Sequence, residues 1–212
     1  VCLQNLPICV CIDRAGLVGA DGQTHQGVFD VSYLSHIPNL TVLAPKDVAE
    51  FKSMLKFSYD FKTPLAIRYC NGKIEDFACH DEFSLKWEKT FETPSAKLTI
   101  LAVGYRMNKL ALTFAESSNF GVNVINARVI KPLDTQILND ISTPIITLEE
   151  NVVNGGFGQS VLNYYNLIDK NIKVLNLGIK DEFVKQASVE KQLEINGLDI
   201  KNLKIQAKKL IN

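Results

Sequence analysis

The stretch PICVCIDRAGLVGADGQTHQGVFDVSYLSHI, residues 7–37, decides the fold of this chain. Its first six residues are an apolar run typical of a buried strand, and the apolar spacing over 28–37 predicts a helix. Residues 13–27 lie between them and contain four glycines, which the interiors of strands and helices do not favour. Open α/β sheets place ligand sites in a loop between a strand and a helix. The glycine loop 13–27 is therefore the first candidate site.

The same alternation of strands and helices continues and predicts two α/β units with parallel sheets. In the first unit, strands are predicted at 39–43 and 64–69, with a helix at 45–57 between them. The polar, charged residues 73–85 predict a solvated linker, followed by an edge strand at 87–91. The second unit has predicted strands at 97–103, 122–127, 144–148 and 173–177, and predicted helices at 107–117, 154–167 and 199–211.

The composition excludes several classes of protein. With 212 residues, 46% of them apolar, the chain can build a sizeable core. The 23 basic and 23 acidic residues balance, which argues against a protein that binds nucleic acid or a membrane surface. The sequence has no apolar run of membrane-spanning length and no secretory signal at its start. The five cysteines lack zinc-type spacing, so we expect reduced thiols and a cytoplasmic protein.

Two side chains of the glycine loop suggest chemistry. His25 can exchange protons near neutral pH, although a single histidine is often structural. Arg14 follows Asp13 at the end of a strand, so it either pairs with loop carboxylates or binds an anion through its guanidinium. The other two histidines, His36 at a helix end and His80 in the linker, are expected to be solvated.

A second glycine cluster, NGGFG at 154–158, also follows a strand. It lacks the lysine and hydroxyl residue of a Walker phosphate loop and does not match a dinucleotide fingerprint. A tight crossover from strand to helix is the simpler interpretation, and a phosphate-binding role is the alternative. The sequence shows no metal-ligand spacing and no serine or cysteine triad.

The loop DRAGLVGADGQTHQG resembles that of the 1-deoxy-D-xylulose-5-phosphate synthases, thiamine-diphosphate enzymes of the transketolase superfamily. The resemblance covers essentially the whole chain. Its remaining segments are FDVSYLSHIPNLTVLAP (29–45), AIRY (66–69), VIKPLD (129–134), LEEN (148–151), GGFG (155–158) and LNLGIKDEFV (175–184).

The resemblance implies an α/β fold in which part of a pyrimidine-binding-type parallel sheet precedes a three-layer α/β domain of the transketolase C-terminal type. The implied boundaries are 1–72 for the first domain, 73–85 for the linker and 86–212 for the second domain. The implied reaction condenses pyruvate with glyceraldehyde 3-phosphate and releases CO₂, which makes an isoprenoid precursor. Thiamine diphosphate supplies the electron sink, and the protein supplies orientation and protons.

The family's site residues carry over by position. The resemblance implies that His25 transfers protons to substrate oxygens, that Asp21 orients substrate hydroxyls and that Arg14 binds the aldehyde substrate and its phosphate. Where the family usually has Arg-Tyr-Pro-Arg-Gly, this chain has Asn71 in place of the second arginine. Either Lys73 substitutes as a point charge at the phosphate, or the acceptor aldehyde differs.

The family's diphosphate and Mg²⁺ motifs, and the glutamate that activates the cofactor, lie outside the matched segments. We therefore expect the chain, which starts at Val1, to be a fragment or one half of a split enzyme, inactive and cofactor-free by itself. Its expected partners are the N-terminal half of the enzyme, a second copy in a homodimer, and small-molecule substrates. The alternatives are a subunit of another transketolase-like or E1 β-type enzyme, and a non-catalytic assembly module.

Overall fold

A computed structural model describes residues 1–77 and 83–212 of the chain. The strands are β1 (Cys9–Ile12), β2 (Thr41–Leu43), β3 (Leu65–Arg68), β4 (Glu88–Phe91), β5 (Leu98–Ala102), β6 (Val122–Asn126), β7 (Val129–Lys131), β8 (Ile145–Val152) and β9 (Val174–Ile179). The helices are α1 (Asp30–Ser35), α2 (Val48–Ser58), α3 (Tyr105–Ser117), α4 (Thr135–Asp140), α5 (Phe157–Leu167), α6 (Val189–Ile195) and α7 (Ile200–Ile211).

The strands form two sheets that are mostly parallel, which confirms the predicted α/β class. The first sheet has the order β1-β3-β2-β7, and the second has the order β4-β6-β5-β8-β9. Each sheet contains one antiparallel pair. β7 runs antiparallel to β2, and the predicted edge strand β4 runs antiparallel to β6. The first sheet therefore takes its last strand from the second half of the chain.

One expectation about the first sheet is wrong. The apolar run 7–12 was predicted to be a buried strand, but β1 lies at the edge of the sheet and pairs with β3 alone among the described strands. Val10 is 46% exposed, and Cys11 is also exposed. An apolar run predicts a strand but does not say whether that strand has neighbours on one side or two.

The second sheet is covered on both faces, because successive side chains of a strand point to opposite sides. Leu98 and Ile100 of β5 contribute to one core, together with residues of α3 and α7. Leu101 of the same strand contributes to another core, which includes residues of α5 and of the first sheet. The two sheets therefore share an apolar core, and the two α/β units are joined by it.

Buried charged groups also connect the two units. The Lys46 ammonium lies 2.6 Å from the Glu88 carboxylate at the start of β4, and both side chains are buried. Glu50 of α2 accepts hydrogen bonds from Asn126 and Arg128 of the second unit. Because two cations and two carboxylates meet there, their charges balance, as burial requires.

The predicted linker, 73–85, is not wholly solvated. Phe83 is only 7% exposed and belongs to the shared core, so the prediction is wrong at this residue. Cys79 and His80 lie outside the described residues. The remaining cysteines are free thiols, and His36 is exposed at the end of α1 as expected. None of the helices within 1–77 and 83–212 has the length and apolar character that a membrane span requires.

Candidate active site

The glycine loop 13–27 is closed at its base by backbone hydrogen bonds. Gly16 N–H donates to the Gly27 carbonyl over 2.7 Å, and Gly27 N–H donates back over 2.9 Å. Ala15 N–H donates to the Tyr69 carbonyl over 2.9 Å, which fastens the loop to the end of β3. The loop therefore projects from the carboxyl edge of the first sheet as a closed unit.

The base of the loop requires glycine at two positions. A Cβ on Gly27 would lie 2.2 Å from the Arg14 carbonyl oxygen, which is backbone and cannot move aside easily. Gly16 has a φ of +84°, and a Cβ there would lie 2.7 Å from a Glu150 carboxylate oxygen. The glycines thus allow backbone to approach backbone and a carboxylate to approach the loop.

Arg14, Asp21 and His25 all lie on this loop with exposed side chains. The Arg14 guanidinium is 3.1 Å from Asp13 and 3.7 Å from Asp21, and the Arg14 and Asp21 side chains are each 44% exposed. The His25 ring contacts the Thr24 hydroxyl through Nδ1 at 2.9 Å. The structure therefore brings Arg14 and Asp21 together, and it shows the first of the two alternatives for Arg14, which is pairing with loop carboxylates.

Asn71 and Lys73 lie beyond the end of β3, and both are exposed. Because Ile12 of β1 pairs with Arg68 of β3, Arg14 and Asn71 follow the same edge of the sheet. The Asn71 backbone carbonyl accepts a hydrogen bond from Arg106 over 3.3 Å. This bond engages the backbone of Asn71 and not its side-chain amide, and the residue is exposed.

Arg106 is a residue that sequence reasoning missed. It lies in the first turn of α3, and its Nη1 lies 2.7 Å from a Glu150 carboxylate oxygen and 3.1 Å from the Leu17 carbonyl. Burial acts to lower the pKa of the Arg106 guanidinium, but the Glu150 carboxylate, Cys70 and Glu190 together raise that pKa above its ordinary value. The only sequence signal was an arginine two residues after Gly104, which follows a strand of the second unit.

Three consecutive residues at the end of β8 connect different parts of the molecule. Glu149 accepts hydrogen bonds from the N–H groups of Phe157 and Gly158 at the start of α5, at 2.8 and 2.9 Å. Glu150 pairs with Arg106, and Asn151 accepts from Val31 N–H at the start of α1 over 3.2 Å. The segment LEEN thus holds helix starts and the glycine loop together.

Glu149 decides the interpretation of the second glycine cluster. Its carboxylate occupies the N-terminus of α5, where a phosphate would have to bind. A Cβ on Gly156 would lie 2.6 Å from this carboxylate, so the glycine makes room for it. Burial raises the pKa of Glu149 to about 7, although the Gly158 and Phe157 N–H bonds act to lower it. The NGGFG segment is therefore a strand-to-helix crossover and not a phosphate loop.

A buried ion pair fixes the far end of the glycine loop. Arg68 of β3 binds Asp30 of α1 through two hydrogen bonds of 2.7 and 3.1 Å, and both side chains are at most 4% exposed. The same guanidinium donates to the carbonyls of Gly27 and Glu150. Arg68 therefore connects the sheet, the loop and the second unit.

The acidic side chains near the glycine loop bear on whether a metal could bind there. Within 1–77 and 83–212, no group of three or more His, Cys, Asp and Glu side chains lies close enough together to hold an ion. The carboxylates near the glycine loop are instead paired with arginines. These residues do not fit a Mg²⁺ site.

The fold and the loop define a two-unit α/β protein with an exposed polar site at the carboxyl edge of a parallel sheet. Residues 1–75 match the family described as "Transketolase, pyrimidine binding domain", and residues 88–203 match "Transketolase, C-terminal domain". The second match alone covers more than half of the chain. The chain therefore belongs to the transketolase family.

The similar proteins with curated names include synthases of this family. The chain is 46% identical to the 1-deoxy-D-xylulose-5-phosphate synthase of Clostridium tetani, over 94% of the chain and 33% of that protein. It is 36% identical to the synthase of the same name from Carboxydothermus hydrogenoformans, over 100% of the chain and 35% of that protein. The chain thus spans about a third of the length of the curated relatives it matches.

Solved structures support the fold. A structure described as "Split gene transketolase, inactive beta4 tetramer" has a TM-score of 0.88 and 23% identity to this chain. The match covers 100% of this chain and 69% of the chain in that structure. Transketolase from Leishmania mexicana has a TM-score of 0.78 and 20% identity, and the match covers 99% of this chain and 31% of the transketolase chain. At these identities the likeness concerns the fold alone.

Proposed function

We propose that this chain is part of a thiamine-diphosphate-dependent synthase that condenses pyruvate with glyceraldehyde 3-phosphate to 1-deoxy-D-xylulose 5-phosphate and CO₂. One observation carries the proposal. An exposed loop bearing Arg14, Asp21 and His25 lies at the carboxyl edge of a sheet, in a chain 46% identical to a synthase of that name. Thiamine diphosphate, when bound in the complete enzyme, supplies the electron sink for decarboxylation.

Arg14 is proposed to bind the phosphate of the aldehyde substrate. Its pairs with Asp13 and Asp21 are at the surface, where an ion pair contributes only about 0–1 kcal/mol. A hydrogen bond from a guanidinium to a phosphate contributes about 1.5–3 kcal/mol. Binding of the phosphate therefore outweighs the loss of either surface pair, and Arg14 can turn from the loop carboxylates to the substrate.

Asp21 and His25 are proposed to act on the oxygens of the same substrate. The Asp21 carboxylate accepts hydrogen bonds and would orient substrate hydroxyls. Because the Thr24 hydroxyl engages Nδ1 of His25, Nε2 is the nitrogen assigned to proton exchange with the substrate. Asn71 and Lys73, at the same edge of the sheet, are proposed to face the phosphate end of the substrate.

The rest of the active site is proposed to come from outside this chain. The transketolase and synthase families use thiamine diphosphate and Mg²⁺, and the carboxylates described above do not fit the metal. We therefore assign the diphosphate and metal site to the N-terminal half of the enzyme, on the same or a separate chain. By itself this chain is proposed to be inactive, and the assembled enzyme is proposed to be a cytoplasmic homodimer.

A subunit of another transketolase-like or E1 β-type enzyme is the second candidate. Asn71 favours it, because a neutral amide stands where the synthases usually carry an arginine for the phosphate. The two candidates differ in the substrates that the assembled enzyme consumes. A non-catalytic assembly module is the third, and it requires no contribution from His25.

The test is turnover by the assembled enzyme with labelled pyruvate and glyceraldehyde 3-phosphate, followed by NMR detection of 1-deoxy-D-xylulose 5-phosphate. Turnover with ketose phosphates only would refute the synthase in favour of a transketolase. His25→Ala is expected to lower kcat by about 100-fold or more, in the range of a lost general acid–base group. The matched control is His36→Ala, since His36 is also exposed but lies at the end of α1. Unchanged turnover in His25→Ala would refute a catalytic role for the loop and would favour the non-catalytic assembly module.

A further inference from the structure

Leu17, in the middle of the glycine loop, is bound by the second unit on both sides of its backbone. Its N–H donates to the Glu150 carboxylate over 3.2 Å, and its carbonyl accepts from the Arg106 guanidinium over 3.1 Å. Glu150 and Arg106 are themselves paired at 2.7 Å. A single ion pair therefore satisfies both polar groups of one loop residue.

The side chain of Leu17 is also held by the second unit. It is fully buried and belongs to the core formed by α3, α7 and one face of the second sheet. The side chains of Arg106 and Glu150 are 17% and 7% exposed, so solvent screens their interaction only weakly. The loop is thus held by apolar burial and by charge at one point.

Two further hydrogen bonds hold the loop next to Asp21. Gly19 N–H donates to the side-chain oxygen of Gln192 in α6 over 3.1 Å. The side-chain amide of Gln186 donates to the Ala20 carbonyl over 2.8 Å. Gly19–Asp21 form a single 3₁₀ turn, so these contacts fix the backbone that carries Asp21.

We propose that the Arg106–Glu150 pair of the second unit is a positioning device for the substrate-facing loop. It fixes Leu17 and thereby the placement of Arg14 and Asp21 toward the aldehyde substrate. Its consequence for catalysis rests on the function proposed above, whereas its effect on the loop does not. Neither residue touches the substrate in this proposal, and both act through the loop backbone.

The guanidinium is suited to this position because it is a planar fork with several donors. Arg106 uses one nitrogen for Leu17 and Glu150 and another for the Asn71 carbonyl. It therefore connects the glycine loop with the segment after β3, on which Asn71 and Lys73 lie. A lysine keeps the charge but lacks the planar fork of donors, so Arg106→Lys is expected to disturb the loop less than Arg106→Met.

The first test follows the loop directly by hydrogen–deuterium exchange of the assembled protein. In Arg106→Met, we expect the amides of residues 15–21 to exchange about 10-fold faster or more, since a bond to a charged group is lost. Exchange in β5 and α7 is expected to stay unchanged. Lys89→Met is the matched control, because Lys89 of β4 forms an exposed pair with Glu92, which follows the strand.

The second test is kinetic and uses the same variants in the assembled enzyme. Arg106→Met is expected to raise KM for the aldehyde about 10-fold or more and to leave KM for pyruvate unchanged, with Arg106→Lys in between. Arg106→Gln, a smaller change that keeps an amide donor, replaces Arg106→Met if that variant does not fold.

Unchanged exchange of residues 15–21 would overturn the proposal, and so would an equal rise in exchange over the whole chain. An equal rise of both KM values would overturn the assignment to the aldehyde side. If the unmodified enzyme does not use pyruvate and glyceraldehyde 3-phosphate, the proposed function fails, while the exchange result still decides the positioning role.

Discussion

Replacing Arg68 by methionine tests the connection between the loop and the sheet most directly. Methionine keeps much of the side-chain length but removes the charge and the donors. Asp30 would lose its two hydrogen bonds from the guanidinium, and the carbonyls of Gly27 and Glu150 would each lose one. Since Asp30 is 2% exposed, its carboxylate would be left buried without its cation.

The size of the effect follows from this burial. Removing one partner of a buried ion pair costs about 3–5 kcal/mol, because the remaining charge is uncompensated. In a chain of this length each kcal/mol lowers the unfolding midpoint by about 2–4 °C. Arg68→Met is therefore expected to lower Tm by about 6–20 °C.

Thermal and urea unfolding measure this loss, and a second substitution checks its cause. Asp30→Asn in the Arg68→Met background removes the uncompensated charge, so it is expected to recover part of the lost stability. Lys191→Met is the control, because its pair with Glu194 is exposed and contributes about 0–1 kcal/mol at most. A Tm loss in Arg68→Met no larger than in Lys191→Met would refute the reasoning, as would a double variant less stable than the single one.

Three other predictions concern the loop and its surroundings. Leu17→Ala is expected to lower the free energy of unfolding by about 2–5 kcal/mol in urea unfolding, because Leu17 is fully buried in the second core. Burial raises the pKa of Glu149 to about 7, above its unfolded value, so the folded state binds the extra proton and stability falls as pH rises from about 4.5 to 7. Glu149→Gln is expected to remove about 3 kcal/mol of this pH dependence, measured by urea unfolding at pH 5 and pH 8. Asn71→Arg is expected to lower KM for a phosphorylated aldehyde by about 10- to 100-fold in steady-state assays of the assembled enzyme, since it adds a charged donor.

Matched controls separate these effects from general ones. Leu3 is 97% exposed, so Leu3→Ala is expected to leave stability unchanged, and an equal loss in both leucine variants would contradict the burial argument. Glu116 is exposed, and Glu116→Gln is expected to keep the pH dependence that Glu149→Gln removes. Asn119→Arg adds the same charge after α3, away from the loop. An equal fall of KM there would show that net charge alone attracts the substrate.

The sequence predicted the elements whose pattern is local. The helix 45–57 corresponds to α2, because Asp47 accepts from Glu50 N–H as an N-cap and apolar residues follow at helical spacing. The predicted strand 122–127 corresponds to β6 within one residue. Such signals need no knowledge of the rest of the chain.

The elements that were missed are short or depend on distant partners. β7 has only three residues, and it is a strand because Val129 pairs with Leu43 of β2. Two short helices, α4 and α6, were also missed, since six or seven residues give too few turns for a clear period.

The candidate site shows the same division. The sequence identified the glycine loop and its polar side chains, whose catalytic and binding roles remain proposals. It did not indicate that Arg106 and Glu150 bind the Leu17 backbone, because the three residues come from separate segments. An arginine in the first turn of a helix is commonly solvated, and only the tertiary fold places a carboxylate and two carbonyls around it. The boundaries 1–72, 73–85 and 86–212 also remain a proposal.

The antiparallel strand β7 has a consequence for biosynthesis. A nascent chain that has not reached residue 131 carries β1, β2 and β3, but β2 then has no neighbour on its outer side. An open strand edge can pair with other chains, and pairing between distant segments is slow. Among the described strands, β2 thus gains its outer neighbour only after much of the second unit has been synthesised. The order of translation therefore leaves the β2 edge of the sheet that carries the loop open to aggregation until the other unit supplies β7.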